Sequence, residues 1–239
     1  MLIMENLNVK IYSDGADIEK MKQSYKSGNI TGFTTNPSLM KKAGIKSYTD
    51  FAKAVVEEFP DVSISFEVFA DDFETMKKEA LKISEYGENV FVKIPITNTK
   101  GESSIPLIKE LSKEGLSLNV TAILTLDQVE ETVEAFEEGT SNIVSVFAGR
   151  IADTGVDPIE TMKKSAEICH EKSGTDLLWA SSREVLNIFQ ANDVGADIIT
   201  CAPEIIGKLN NVGKDLKELS LDTVKMFNED IKSLGYSIL

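Results

Sequence analysis

The chain of 239 residues has one histidine, two cysteines, one tryptophan and no long apolar run, and each scarcity removes a class of function. A single imidazole, His170, excludes sites that need two, the HExxH zinc proteases among them. Cys169 and Cys201 offer neither a disulfide framework nor zinc spacing, so both read as reduced, buried small side chains. No stretch nears the ~18 uninterrupted apolar residues of a membrane span. The opening MLIMENLNVKIY also lacks the basic start and apolar run of a secretory signal, which leads to the expectation of a cytoplasmic protein. Cations are scarce too: 25 Lys and Arg stand against 39 Asp and Glu, a net charge of −14. Such a field repels phosphate backbones and anionic lipid, so neither nucleic acid nor a membrane is an expected partner. Any bound phosphate must be met by a few placed cations.

What the sequence does have is a repeated order of a short β-rich apolar run, a polar turn and an amphipathic helical stretch. The strands read as residues 8–14, 32–36, 62–69, 90–97, 118–124, 142–149, 176–181 and 197–203. Helical spacing of apolar positions recurs between them, as in ADIEKMKQSYKSG, DDFETMKKEALKISEYG, SIPLIKELSKEG, LDQVEETVEAFEEG and DPIETMKKSAEICHEKSG. Several open at Asp or Ser and close at Gly, as helix caps prefer. Unbroken alternation implies parallel pairing, because each crossover needs a helix's length. Eight units fit an α/β fold of the closed (β/α)8 TIM-barrel kind; an open doubly wound sheet usually has fewer strands and often a Gly-rich first turn, absent here. One domain is expected over residues 1–239, with the barrel at about 8–210 and a helical extension at about 211–239. The extension, LKELSLDTVKMFNEDIKSLGY, would pack on the barrel's underside or on a neighbouring subunit.

Strand side chains alternate faces, and barrel active sites lie at the C-terminal strand ends. Near those ends stand Asp14, Asn36, Glu67, Lys93, Asn119 with Thr121, Arg150 just past strand six, and Ser181 with Arg183 just past strand seven. Lys93 is the most informative. It is the one charge in the apolar VFVKIPIT, where desolvation favours a neutral, carbonyl-attacking amine. The alternative is a lysine paired to a carboxylate or snorkelling from the strand end. Asp14 and Glu67 are the two carboxylates expected near it, as the base and water-orienting acid of Schiff-base chemistry or as its counter-charges.

Other features point to packing. Cys169 and His170 are neighbours on a helix and project about 100° apart, so they read as core or surface filler and not as a nucleophile pair. Trp179 either floors the pocket or fills the barrel. EETVEAFEEG reads as a solvated helix face, and methionines at helical spacing read as core.

The ordered motifs TTNPS (34–38), VKIPIT (92–97), NVT (119–121), FAGR (147–150) and ASSR (180–183) resemble those of the transaldolase family, in its short-chain branch with the fructose 6-phosphate aldolases. The resemblance runs from about residue 8 to 210. It implies Lys93 as the Schiff-base lysine, Asp14 as the acid/base at the substrate's C4 hydroxyl, and Glu67 with Thr121 as the pair that orients a catalytic water. It also implies that Asn36, Asn119 and Ser145 hold the dihydroxyacetone hydroxyls, while Arg150, Ser181 and Arg183 clasp a sugar phosphate. A loop leading from strand seven into a helix is a common phosphate site in barrels, and two arginines would give an acidic protein a local cationic pocket.

Glu67 in SFEVF and Phe147 resemble the transaldolases, where the aldolases carry Gln and Tyr. Physically, a phenol near the site could protonate the enamine and release dihydroxyacetone to water, which Phe cannot do. The implied enzyme is a cofactor-free, metal-free transferase of the pentose phosphate pathway acting on small-molecule sugar phosphates, and a homo-oligomer of five or ten subunits. It would move a dihydroxyacetone unit from sedoheptulose 7-phosphate or fructose 6-phosphate to an aldose phosphate. The alternatives are an aldolase releasing free dihydroxyacetone and a catalytically silent sugar-phosphate binder. Gly15, Val146 and Ser182 depart from the family's usual Thr or Ser, Pro and Phe, and bear on substrate preference and turnover.

Overall fold

The computed structural model describes residues 7–238; the start of MLIMENLNVKIY and Leu239, which ends the expected domain and extension, lie outside the described residues. Eight strands, β1 (Lys10–Asp14), β2 (Gly32–Thr34), β3 (Ser63–Glu67), β4 (Val90–Pro95), β5 (Leu118–Ile123), β6 (Asn142–Val146), β7 (Thr175–Trp179) and β8 (Ile198–Cys201), pair in parallel and close into a barrel in chain order. The crossovers carry α1 (Ile18–Lys26), α2 (Pro37–Lys42), α3 (Tyr48–Glu58), α4 (Phe73–Ser84), α5 (Ile105–Lys113) and α6 (Leu126–Ala135). They continue with α7 (Ala148–Asp153), α8 (Ile159–His170) and α9 (Leu186–Asp193), and α10 (Pro203–Ile206) and α11 (Leu216–Leu234) follow the last strand. This is the expected (β/α)8 TIM barrel with an extra C-terminal helix. Among the described residues, no helix is long and apolar enough to cross a membrane.

Local chemistry starts the helices where the sequence suggests. Asp17 and Asp72 accept N–H bonds at the first turns of α1 and α4, and Thr125 forms a reciprocal capping box with Gln128 at α6. Ser104 stands at the cap position of α5, but its hydroxyl makes no cap bond. The strands stop earlier than alternation alone suggests. Residues 148 and 149, read as the end of strand six, are helical, because the peptide after Val146 turns into α7.

Parity is kept around the barrel. Registers place Tyr12 opposite Gly32 and Thr200, Asp14 opposite Thr34, and Lys93 between Glu67 and Asn119. Gly32 is required there: a Cβ would lie 2.4 Å from the Tyr12 ring. Trp179 neither floors the cleft nor fills the barrel. It takes the opposite parity and is buried in the apolar layer between strands and helices, where its indole N–H has no partner. Val146 shares that layer, so this departure lies behind β6 and away from the barrel interior. Met21, Met40, Met76 and Met162 are core, whereas Met226 is exposed. The carboxylates of EETVEAFEEG are solvated while Val133 and Phe136 pack inward. No residue of α11 is buried, which overturns the option of packing on the barrel's underside.

Candidate active site

A cleft of about 250 Å³ opens at the C-terminal ends of the strands, and Lys93 reaches it from β4. The lysine is only 7% exposed. Its Nζ lies 3.2 Å from Glu67 Oε2 and donates to the Thr35 carbonyl at 3.4 Å. The ammonium is therefore paired and inward, and it does not snorkel. Glu67 itself is outside the cleft lining and approaches the lysine from the β3 side. Asp14 lines the cleft from β1 and accepts a bond from the Thr34 hydroxyl at 2.9 Å. Burial pushes the Asp14 carboxyl above its usual range, opposed by the Lys93 charge and the Thr34 hydrogen bond, with Glu67 adding to the rise.

Thr121 is 2% exposed, lines the cleft, and leaves its hydroxyl without a partner. The backbone beyond it is irregular. Ala122 takes φ +63° where the β5–β6 register shifts between Val120 and Ile123. A non-glycine residue is strained in that region, and such strain tends to sit at functional sites. Among the described residues the second non-glycine at positive φ is Ser181, at +64°, also in the cleft wall.

Asn36, Ser145, Phe147, Arg150 and Arg183 line the cleft as well. Asn36 also caps α2, accepting from the Leu39 N–H at 3.0 Å. Asn119 differs from the expectation of a substrate-holding group. It is fully buried and outside the lining, and its amide is used at both ends, donating to Ser65 Oγ at 2.9 Å and accepting from Ser145 Oγ at 2.7 Å. That makes it a brace for Ser145.

Of the two arginines, Arg150 is exposed and stacks 5.8 Å from the Phe147 ring centroid. Arg183 is not free: its guanidinium pairs with Asp153 of α7 at 2.5 Å. The loop N–H groups of Arg183 and Glu184 both donate to Asn187 Oδ1. The two arginine-bearing segments are packed tightly, since a Cβ on Gly149 would stand 1.7 Å from the Ser181 carbonyl oxygen. Reading residues singly missed Thr34, Ser65, Asp153, Asn187 and Thr200. Inward parity on β2, β3 and β8 was the available signal for Thr34, Ser65 and Thr200.

With this geometry in view, a family model described as Transaldolase/Fructose-6-phosphate aldolase matches residues 11–238. The chain belongs to that family. A protein of Nitrosopumilus maritimus named "Probable transaldolase" is 32% identical over 231 residues, covering 94% of this chain and all of that one. One of Methanococcus maripaludis with the same name is 35% identical over 206 residues, covering 85% and 90%. Among solved structures, KGPDC from Streptococcus mutans superposes with TM-score 0.58 at 15% identity, over 87% of this chain and 93% of that one, a likeness of fold alone.

Membership in this family does not extend to every titratable group in the chain. Cys169 and Cys201 are free and buried, and burial pushes the Cys201 thiol up to about 11. His170 is bonded to Asp197 at 2.9 Å on the surface, away from the cleft.

Proposed function

We infer that the chain is a class I transaldolase, moving a dihydroxyacetone unit from a ketose phosphate, sedoheptulose 7-phosphate or fructose 6-phosphate, to an aldose phosphate. The observation that carries the reading is the inward Lys93 amine, with Glu67 at 3.2 Å, Asp14 in the same cleft and the Thr121 hydroxyl unpartnered beside it. The amine in its neutral form attacks C2 of the ketose. Glu67 and Thr121 hold the water that carries protons during carbinolamine formation and dehydration. Asp14 takes the C4 hydroxyl proton as the C3–C4 bond breaks, and the electron pair passes into the protonated imine to give an enamine. The aldose phosphate leaves, and a second aldose phosphate is attacked by the enamine carbon in the reverse sequence.

Asn36 and Ser145 hold the dihydroxyacetone hydroxyls, with Asn119 fixing Ser145 from behind. Arg150, Ser181 and Arg183 take the phosphate, for which Arg183 exchanges the Asp153 carboxylate for the phosphate dianion. Phe147 offers no phenol to protonate the enamine, which favours transfer to an acceptor over release to water. The reading includes a cytoplasmic homo-oligomer, pentamer or decamer, supported by the exposed apolar side chains Val224, Phe227 and Ile231 on α11.

Sodium borohydride with fructose 6-phosphate should label Lys93 covalently, seen by peptide mass. An unlabelled lysine despite proven substrate binding overturns the mechanism. Turnover without an aldose phosphate acceptor would instead make the enzyme an aldolase.

A further inference from the structure

The mouth of the barrel holds a short chain of hydroxyls that the reaction above does not use. Thr34 Oγ1 lies 2.9 Å from Asp14 Oδ1 and 2.5 Å from Thr200 Oγ1. Each hydroxyl has one proton to give. An ionised carboxylate only accepts, so the Thr34 proton points at Asp14, and the short contact between the hydroxyls must then be filled by the Thr200 proton. The direction of the chain, Thr200 to Thr34 to Asp14, is thereby fixed. Both hydroxyls sit on nearly dry residues, 8% and 2% exposed, where a donor that itself accepts a bond is strengthened.

The strand order makes the chain possible. β1 lies between β2 and β8, with Asp14 opposite Thr34 and Tyr12 opposite Thr200. Thr200 is held in turn through its carbonyl, which accepts from Ser182 Oγ at 2.8 Å. Ser182, one of the departures from the family pattern, thus ties the β7 loop to the end of β8. Because Oδ1 of Asp14 is committed to Thr34, Oδ2 is the oxygen left for a substrate hydroxyl.

We propose that Thr200 is a positioning residue for Asp14, acting through Thr34 to fix which carboxylate oxygen takes the substrate's proton. The proposal rests on Asp14 being the acid/base of the reaction read above. Removing the Thr200 hydroxyl weakens the Thr34 donor, so the titration of Asp14 moves upward. The other groups facing this carboxyl are Lys93 on β4, Glu67 on β3, Cys201 on β8, Arg150 and Arg183 in the same cleft, and Asp17, Lys20, Lys42 and Glu204 around the adjoining one. None of them changes in a Thr200 variant.

The test follows the Asp14 carboxyl by carbon NMR across pH in the ligand-free protein, alongside single-turnover cleavage of fructose 6-phosphate. Thr200→Val should raise the Asp14 midpoint and slow cleavage about fivefold, the size of one net hydrogen bond, with the yield of trapped imine unchanged. Thr200→Ser should restore both. Thr200→Ala asks the same question should the valine variant fail to fold. A midpoint that stays at its wild-type position in the Val or Ala variant, or one that Ser does not restore, overturns the proposal. A midpoint that moves and is restored, in a protein that traps no imine with any sugar phosphate, keeps the coupling of Thr200 to Asp14 through Thr34 but overturns the reaction, and with it the positioning role.

Discussion

Facing outward, β3 and β4 carry Ile64, Phe66, Val92 and Ile94, all fully buried against the helices; facing inward, the same strands carry Ser65, Glu67 and Lys93. The outer layer continues through Val55, Met76, Ile108, Leu111 and Met162 on the helices as one apolar body. The interior cluster is small by contrast, Tyr12, Ile143, Leu178, Ala180 and Ile198, with hydroxyl and amide side chains filling the rest. Two chemistries share one sheet because the strand period is two. Stability is concentrated in the layer outside the strands, which leaves the inside free to carry a buried ion pair and unpartnered hydroxyls that a core would otherwise reject.

The sharpest way to break this comparison is to weaken the outer layer alone. Leu111→Ala should destabilise by about 2–5 kcal/mol in denaturant unfolding while turnover per folded molecule stays unchanged. Loss of specific activity would mean that the two layers are not independent.

A smaller effect of opposite sign is expected inside. Burial raises the Asp14 pKa, so the folded chain holds that proton more tightly than the unfolded chain. Below the ordinary value of 3.8 both states are protonated and the site costs nothing; as pH climbs through the raised value the folded state must carry a disfavoured charge. Asp14→Asn should therefore raise the melting temperature near pH 7, with the gain vanishing toward about pH 3 and smaller than the Leu111 loss. An unchanged or lower melting temperature at neutral pH would show that Lys93 attracts the carboxylate more strongly than burial disfavours it.

The smallest effect belongs to α11, which is part of neither layer. Val224→Ser should change the stability of an isolated chain by less than about 0.5 kcal/mol. A larger loss, accompanied by a fall in particle mass in light scattering, would show the helix covered by another copy.

Much of this division was legible in the sequence, since alternation within strands exposes which positions face which side. Asp14, Lys93 and Thr121 could be placed in one mouth from strand position alone. Parity failed where the strand ended. Counting back from Ser181 puts Trp179 inside, yet the left-handed turn at Ser181 breaks the alternation and the indole faces the helices. The Arg183–Asp153 pair and the Thr34–Thr200 contact join residues distant in sequence, and no local pattern announces them. Asn119 was found by position, but its role was not, because its partners come from other strands, Ser65 on β3 and Ser145 on β6.

The Gly149 contact reaches beyond geometry. Every substitution of that glycine adds at least one carbon where the Ser181 carbonyl already stands. The segments bearing Arg150 and Arg183 are thus tied in inheritance as well as in space: neither can drift in shape without a compensating change in the other, and position 149 itself is closed to exploration.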